Sequence, residues 1–522
     1  MRSYYSHLQA TRSQGEEVSL LQKPVFRSSA IFPVMQNETC RTHVLFMGYW
    51  LLKRHISEIG LLCTLRGADG RMLERKFISV NSARAFRISL SEFQYTGTAD
   101  FEGSIELEIH STRDLVFPYP AFVLMYEGDH YATCVHTTGR VYNDIEDVSG
   151  NEEYTVPESG FDIYGDGERD SFFAFTNGPL ANTNGQMHYT IDGPDGLRHS
   201  GVMDVGEVKA FETRFVYLKD HIGLDSILNK GAGSIKLTHS LRGFFPRFVA
   251  GNRHRHTGEM SITHTYYDSS QLADGKAFWT RGSDELYDSS VSIPLFTGSG
   301  FYTCVAVYPV FSPSKFMLGL HFYNEQGRLI SHIENVHEVT PENLQYTQID
   351  IGALIAARGI EGAVSVKLVC TWADKERIPT RVKFGLNVGR RQQENIGSNI
   401  CFAPMLGNPK VLEKKGTFRW APLLNHGSSS VVLTNGSTQK QYDRPARVRL
   451  SIHREEDDQQ LLREATIGAE CLHTISPATD PELAAFLQGK SGWIAAQSDN
   501  PFLNGYYFDF SESGAVAADH VF

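Results

Sequence analysis

Apolar and polar positions alternate with a period of two along most of this chain. The alternation is clearest in Arg447-Val448-Arg449-Leu450-Ser451-Ile452 and in Ser365-Val366-Lys367-Leu368. Such a pattern predicts strands with one buried face and one wet face, because successive side chains of a strand point to opposite sides. The runs are short and are separated by Gly, Asn and Asp turn signals. No long strand–helix–strand pattern is present, which argues against a parallel sheet. Helical character is confined to brief segments, clearest in Leu224-Asp225-Ser226-Ile227-Leu228 and Pro481-Glu482-Leu483-Ala484-Ala485-Phe486-Leu487.

The strand pattern repeats about every 130 residues. A tight-turn signal recurs as Gly67-Ala68-Asp69-Gly70, Gly193-Pro194-Asp195-Gly196, Asn324-Glu325-Gln326-Gly327 and Glu455-Glu456-Asp457-Asp458, its last residues 126, 131 and 131 positions apart. A glycine opening an alternating apolar strand recurs at Gly103, Gly233, Gly362 and Gly492, spaced by 130, 129 and 130. A proline then follows in each copy (Pro118, Pro246, Pro379, Pro501), as expected for a residue that cannot donate to a ladder. A closing strand carries His136, His264, Phe402 or His520. The replacement of histidine by phenylalanine favours a partly buried ring at this position over a ligand.

The reading is all-β: four tandem, diverged β-sandwich domains of immunoglobulin-like or jelly-roll type, each with one short helix. The copies are expected at residues 1–146, 147–276, 277–410 and 411–522, with six to eight strands apiece.

Composition agrees with a strand-rich globular chain, with 41% hydrophobic residues, 32 Phe and 22 Tyr. No run of 18 apolar residues occurs, so no membrane-spanning helix is expected, and the N-terminus lacks a signal-peptide pattern. Seven scattered cysteines, none in a CxxC pair, read as buried small hydrophobes. A reducing, cytoplasmic compartment fits them, and signal-less export remains open.

The net charge of −11 is unevenly laid out. Residues 143–170 hold ten acids against Arg169 alone, a balance of −9, while 375–419 hold ten bases against three acids, a balance of +7. Two solvated linkers are the plain reading. The sharper one is attraction between the stretches, with Arg390, Arg391, Lys414 and Lys415 as interaction residues and self-association as the outcome. Nucleic acid is an unlikely partner for the basic stretch, which lacks interleaved aromatics in an acidic chain.

Motifs for phosphate binding, for a nucleophile elbow and for dinucleotide binding are absent. Two metal arrangements are conceivable. His254 and His256, two apart on a strand, with His264 on the closing strand and Asp268 beyond, could hold Zn or Fe. Asp162, Asp166, Glu168 and Asp170 around Gly165 and Gly167 could form a loose Ca loop. Their bland counterparts are a basic loop beside a satisfied strand histidine, and an acidic linker. The expectation is therefore a non-catalytic binding, scaffold or assembly protein recognising carbohydrate or protein. The alternative is a metal-dependent enzyme centred on the second repeat.

Overall fold

The computed structural model describes residues 25–94, 100–117, 119–136, 139–141, 148–149, 152–153, 158–267, 278–281, 283–298, 300–380, 382–391 and 397–522. It forms two compact units, residues 1–267 and 268–522. Each unit contains two sets of eight strands.

In the first set these are β1 (Arg27–Gln36), β2 (Arg41–Met47), β3 (Ile59–Gly67), β4 (Met72–Val80), β5 (Ala85–Ser89), β6 (Phe101–Ser111), β7 (Val123–Glu127) and β8 (Ala132–His136). The second has β9 (Glu158–Tyr164), β10 (Arg169–Thr176), β11 (Gln186–Asp192), β12 (Arg198–Asp204), β13 (Thr213–Tyr217), β14 (Ala232–Thr238), β15 (Val249–His254) and β16 (Met260–His264). The third has β17 (Ser289–Pro294), β18 (Phe301–Val307), β19 (Phe316–Tyr323), β20 (Leu329–Val339), β21 (Thr347–Asp350), β22 (Ser365–Trp372), β23 (Phe384–Arg390) and β24 (Ser398–Phe402). The fourth has β25 (Thr417–Leu423), β26 (Ser428–Asn435), β27 (Ala446–Arg454), β28 (Gln460–Ile467), β29 (Leu472–Ile475), β30 (Gly492–Ser498), β31 (Leu503–Phe510) and β32 (Val516–His520).

One connectivity serves all four sets. Strands 1, 6, 3 and 4 of a set make one sheet in that order, and strands 5, 2, 7 and 8 make the other. The third set adds Met405–Leu406 at the β17 edge. Hairpins join strands 3–4 and 7–8, and the other connections cross between sheets. In the second set, Phe161, Ile163, Ile191, Ile235 and Leu237 of one sheet pack against Phe173, Phe175, Val216 and Ala250 of the other, which defines a sandwich core.

The 3–4 hairpin explains the recurring turn signal. Gly70, Gly196 and Gly327 take φ of 82°, 75° and 69°, a region where a Cβ is disfavoured. The fourth turn has no glycine and is tied instead by Arg454, whose guanidinium donates to Asp457, while Asp457 accepts from the Gln459 amide.

Helices lie between strands 5 and 6 in three sets: α2 (Leu224–Ile227), α3 (Ile351–Arg358) and α4 (Pro481–Leu487). Asp480 caps α4 by accepting from the Glu482 and Leu483 amides, with Pro481 in the first turn, where its missing N–H costs nothing. The first set differs from expectation. Its helix, α1 (Tyr49–Arg54), follows β2, and only a 3-10 turn at Leu90–Glu92 occupies the usual place.

Inside each unit the two sets are paired in a similar way. In residues 1–267, β1 and β6 lie against β10 and β13, and the β3–β4 turn reaches the loop before β13. There the Thr213 amide donates to the Ala68 carbonyl at 2.9 Å, and the Arg66 guanidinium sits 4.2 Å above the Phe211 ring. In residues 268–522, β17 lies against β26, and Gly327 of the β19–β20 turn abuts Ala469. Closing strands also meet within each unit, β8 with β16 and β24 with β32. No helix among the described residues is long and apolar enough to cross a membrane.

Candidate functional site

The histidines of the second set do not converge. His254 is the last residue of β15 and is buried, with Nδ1 accepting from the Thr257 amide at 3.1 Å. His256 lies beyond the strand in an exposed turn, so the expected shared strand face is absent, although the two rings are 5.8 Å apart. His264 stands opposite Val249, at the other end of the hairpin. At about 3.3 Å per residue, five residues of β15 put it about 16 Å from His254. Its Nδ1 is 3.0 Å from the Thr265 carbonyl, and its ring meets His136 edge-on at 4.8 Å. His520 makes the same turn back, onto the Val521 carbonyl at 3.0 Å. Asp268 lies outside the described residues.

The acidic loop is tied together by cations of the chain itself. Asp166 accepts from the Glu168 and Arg169 amides and from the Arg169 guanidinium at 2.6 Å. Against the upward push of burial, Arg169 and these amides hold its carboxyl below the ordinary value. Asp170 is buried between Lys219, at 2.5 Å, and Arg255, at 2.8 Å. Arg255 also donates to the Gly167 carbonyl, so the basic loop of the histidine motif serves to staple the acidic turn. Asp162 is buried on β9, and Glu168 is exposed. The four carboxylates are spread over two sheets and the turn between them, so the structure does not gather them around one point. Residues 143–147, 150–151 and 154–157 of the acidic stretch lie outside the described residues.

The basic stretch is not a continuous linker. Lys375 is paired with Asp288, Lys383 is buried, and Arg391 is paired with Asp350 at the start of α3. Arg390 ends β23 with its guanidinium 4.8 Å above Phe301. Lys414 and Lys415 are exposed between Pro409–Val411 and β25, with no ion pair among the described residues. The cysteines are free, six of them buried, and burial pushes the Cys40, Cys63 and Cys370 thiols up to about 12.

Two groups of buried charges lie where paired sandwiches meet, and no sequence pattern marks them. Lys367 on β22 reaches across to Glu470 and to the Ser437 carbonyl, with 2% and 7% of the two charged side chains exposed. Burial lowers the Lys367 value and raises that of Glu470. In the first unit, Glu106 on β6 is held by Arg66 at 3.2 Å and Arg27 at 3.5 Å. The alternation that marks these residues as polar suggested a wet face, but the neighbouring sandwich covers it.

The corresponding face of the fourth sandwich is open. There β27 follows its sequence pattern, with Arg447 and Arg449 exposed and Val448 and Leu450 buried. A cleft of about 780 Å³ lies at one end of this sheet, lined by Phe418, Arg447, Arg449, Glu464, Gln497 and Asp499 among others. Register places Glu464, Arg449, Gln497 and Phe418 side by side in one row across four strands. Arg447 is two residues from Arg449 on the same face, so the two guanidiniums start about 7 Å apart. Neither makes a side-chain hydrogen bond or ion pair among the described residues. The Asp499 carboxylate accepts from the Arg447 backbone amide at 3.0 Å.

No protein-family profile matches this chain, and no curated protein matches it. Among solved structures, the tetra-tandem repeat in the extending region of a large adhesion protein is similar over 89% of this chain and 91% of its own length. Its sequence identity is 10% and its TM-score 0.10, values at which the match carries no argument about fold or function.

Proposed function

We propose that the chain is a non-catalytic binding and scaffold protein, built from four sandwiches at 1–146, 147–276, 277–410 and 411–522 that work as two joined pairs. The observation that carries this reading is how the polar chemistry is used. Asp166, Asp170, Arg255 and Arg391, and Glu106 with Arg66, are taken up by ion pairs within the sandwiches, and Lys367 with Glu470 by the join between two of them. Polar groups left facing solvent together occur on a sheet face with an open cleft, an arrangement suited to holding a ligand.

The alternative, a metal enzyme using His254, His256, His264 and Asp268 with Zn or Fe, would need His264 to approach across the length of a hairpin. A calcium site at Asp162, Asp166, Glu168 and Asp170 would need Asp166 and Asp170 to give up three internal cations. Metal analysis of the purified full chain, wild type and His256→Ala, tests the reading. It expects no stoichiometric Zn, Fe or Ca. Stoichiometric metal lost on His256→Ala would overturn it in favour of the enzyme.

A further inference from the structure

We propose that the cleft on the fourth sandwich binds a carboxylate-bearing carbohydrate, an oligosaccharide of uronic acids, through Arg447 and Arg449. This rests on the binding-protein reading above and gives it a ligand class.

The case begins with the arginines. Two like charges about 7 Å apart on one strand face repel each other, and neither guanidinium has a partner within the described protein. Cross-strand neighbours could have neutralised them, as Arg27 and Arg66 do for Glu106 in the first sandwich. Here Glu464 stands opposite Arg449 in register, yet no ion pair joins them. The planar forks are left to accept an external anion, and a carboxylate fits such a fork with two parallel hydrogen bonds.

The remaining lining selects among anions. A small inorganic ion would be wrapped by donors alone, whereas this cleft mixes donors with acceptors. Gln497 offers both, and Glu464 and Asp499 offer carboxylate oxygens. Sugar hydroxyls, each at once donor and acceptor, match that mixture. Phe418 lies in the same row as Arg449 and Gln497 and gives the apolar face of a pyranose ring a surface to lie on. The cleft is open rather than enclosed, so a ligand can run on past it. About 7 Å between the arginines is enough to engage carboxylates of separate sugar residues on one chain.

The location fits as well. The same outer face is covered in the third sandwich, where Lys367 is committed to Glu470 and Ser437 of the fourth. The fourth sandwich leaves its own face open, and that is where the arginine pair stands.

The test is titration calorimetry of the full chain with hexagalacturonate, cellohexaose and hexaglutamate at 0.1 M salt. Hexagalacturonate is expected to bind, with at least a tenfold loss in Arg447→Ala/Arg449→Ala. Arg447→Lys/Arg449→Lys, which keeps the charge but not the fork, is expected to lose most of that affinity too. Thermal melts equal to wild type show that these variants are folded, and Arg358→Ala, at the exposed end of α3, serves as a surface control that should bind normally. No binding of hexagalacturonate, or binding unchanged in the double alanine variant, overturns the proposal. Equal binding of cellohexaose overturns the role of the carboxylate, and tighter binding of hexaglutamate replaces carbohydrate by acidic peptide. Chromatography of the titrated mixture separates this proposal from the reading beneath it. Shortened oligosaccharide products would overturn the non-catalytic assignment, whereas absence of binding would overturn the ligand alone.

Discussion

The three glycine turns offer a comparison in which the local conformation is held constant and the surroundings change. Gly70, Gly196 and Gly327 all end a β-hairpin turn at positive φ, so Gly→Ala costs each about 1 kcal/mol for placing a Cβ in the left-handed region. At Gly196 nothing lies within 4 Å of that Cβ, so the cost ends there. At Gly70 the methyl would sit 2.9 Å from the Phe211 carbonyl carbon and closer still to the Ala210 oxygen. At Gly327 it would sit 2.9 Å from the Cys471 sulfur and closer still to the Ala469 oxygen. Both obstacles belong to the paired sandwich, and the nearest one in each case is backbone, which must move. Overpacking of that kind adds about 1–3 kcal/mol. Gly196→Ala should therefore cost about 1 kcal/mol, and Gly70→Ala and Gly327→Ala about 2–4 kcal/mol. For units of this size 1 kcal/mol is about 2–4 °C in Tm. Scanning calorimetry of the full chain should show a slight shift for Gly196→Ala and a shift two to four times larger for the others. Equal shifts in all three would refute the docking of the turns.

Further outcomes are expected elsewhere. Lys367→Met should cost about 3–5 kcal/mol in urea denaturation because it leaves Glu470 buried without its cation, and Lys367→Met/Glu470→Leu should recover most of the loss. If the double variant is as unstable as the single one, the two residues are not coupled. His239 is buried with neither ring nitrogen hydrogen-bonded, and burial pulls its value from 6.5 to about 3. The unfolded chain then binds a proton that the folded one refuses, so stability present above pH 6.5 is lost as pH falls toward 3. From pH 7 to pH 5 this group alone removes about 2 kcal/mol. His239→Leu should flatten the acid limb of a stability–pH curve by that amount, and an unchanged limb would count against it. Lys414→Gln/Lys415→Gln should reduce any salt dependence of the sedimentation coefficient between 0.1 and 1 M, while Arg391→Gln, which loses an internal pair, should cost at most about 1 kcal/mol in a urea melt. A coefficient constant with salt in wild type and variant alike leaves no self-association to explain.

How much of this was legible in the sequence varies with the range of the interaction. The period-two pattern and the turn signals report local geometry, and they located the strands and all four 3–4 turns, the last without a glycine. Asp480-Pro481 reported the start of α4 equally well, whereas α1 had no such signal beyond Trp50, which the fold buries. Alternation reports polarity and does not report what covers a polar face. Ser365–Leu368 and Arg447–Ile452 look alike as strings, yet Lys367 is enclosed and Arg447 is open. Residues two apart also share a face only while the strand lasts, and β15 ends at His254, which is why His256 turns away from the expected set. The acids around Gly165 counted as an excess because their cations, Lys219 and Arg255, lie 49 and 85 positions from Asp170.

The pairing of sandwiches bears on how such a chain can grow or shrink. The join in residues 268–522 buries Lys367, a charge that only Glu470 and Ser437 of the neighbour satisfy, so the third sandwich is not an exchangeable part by itself. A chain ending at residue 410 would present Lys367 bare to solvent on a surface shaped for a missing partner. Removal of the third and fourth sandwiches together takes both members of that pair away, and removal of either one strands the other member. Chains of this construction are therefore expected to vary in length by even steps, with the doublet as the heritable brick.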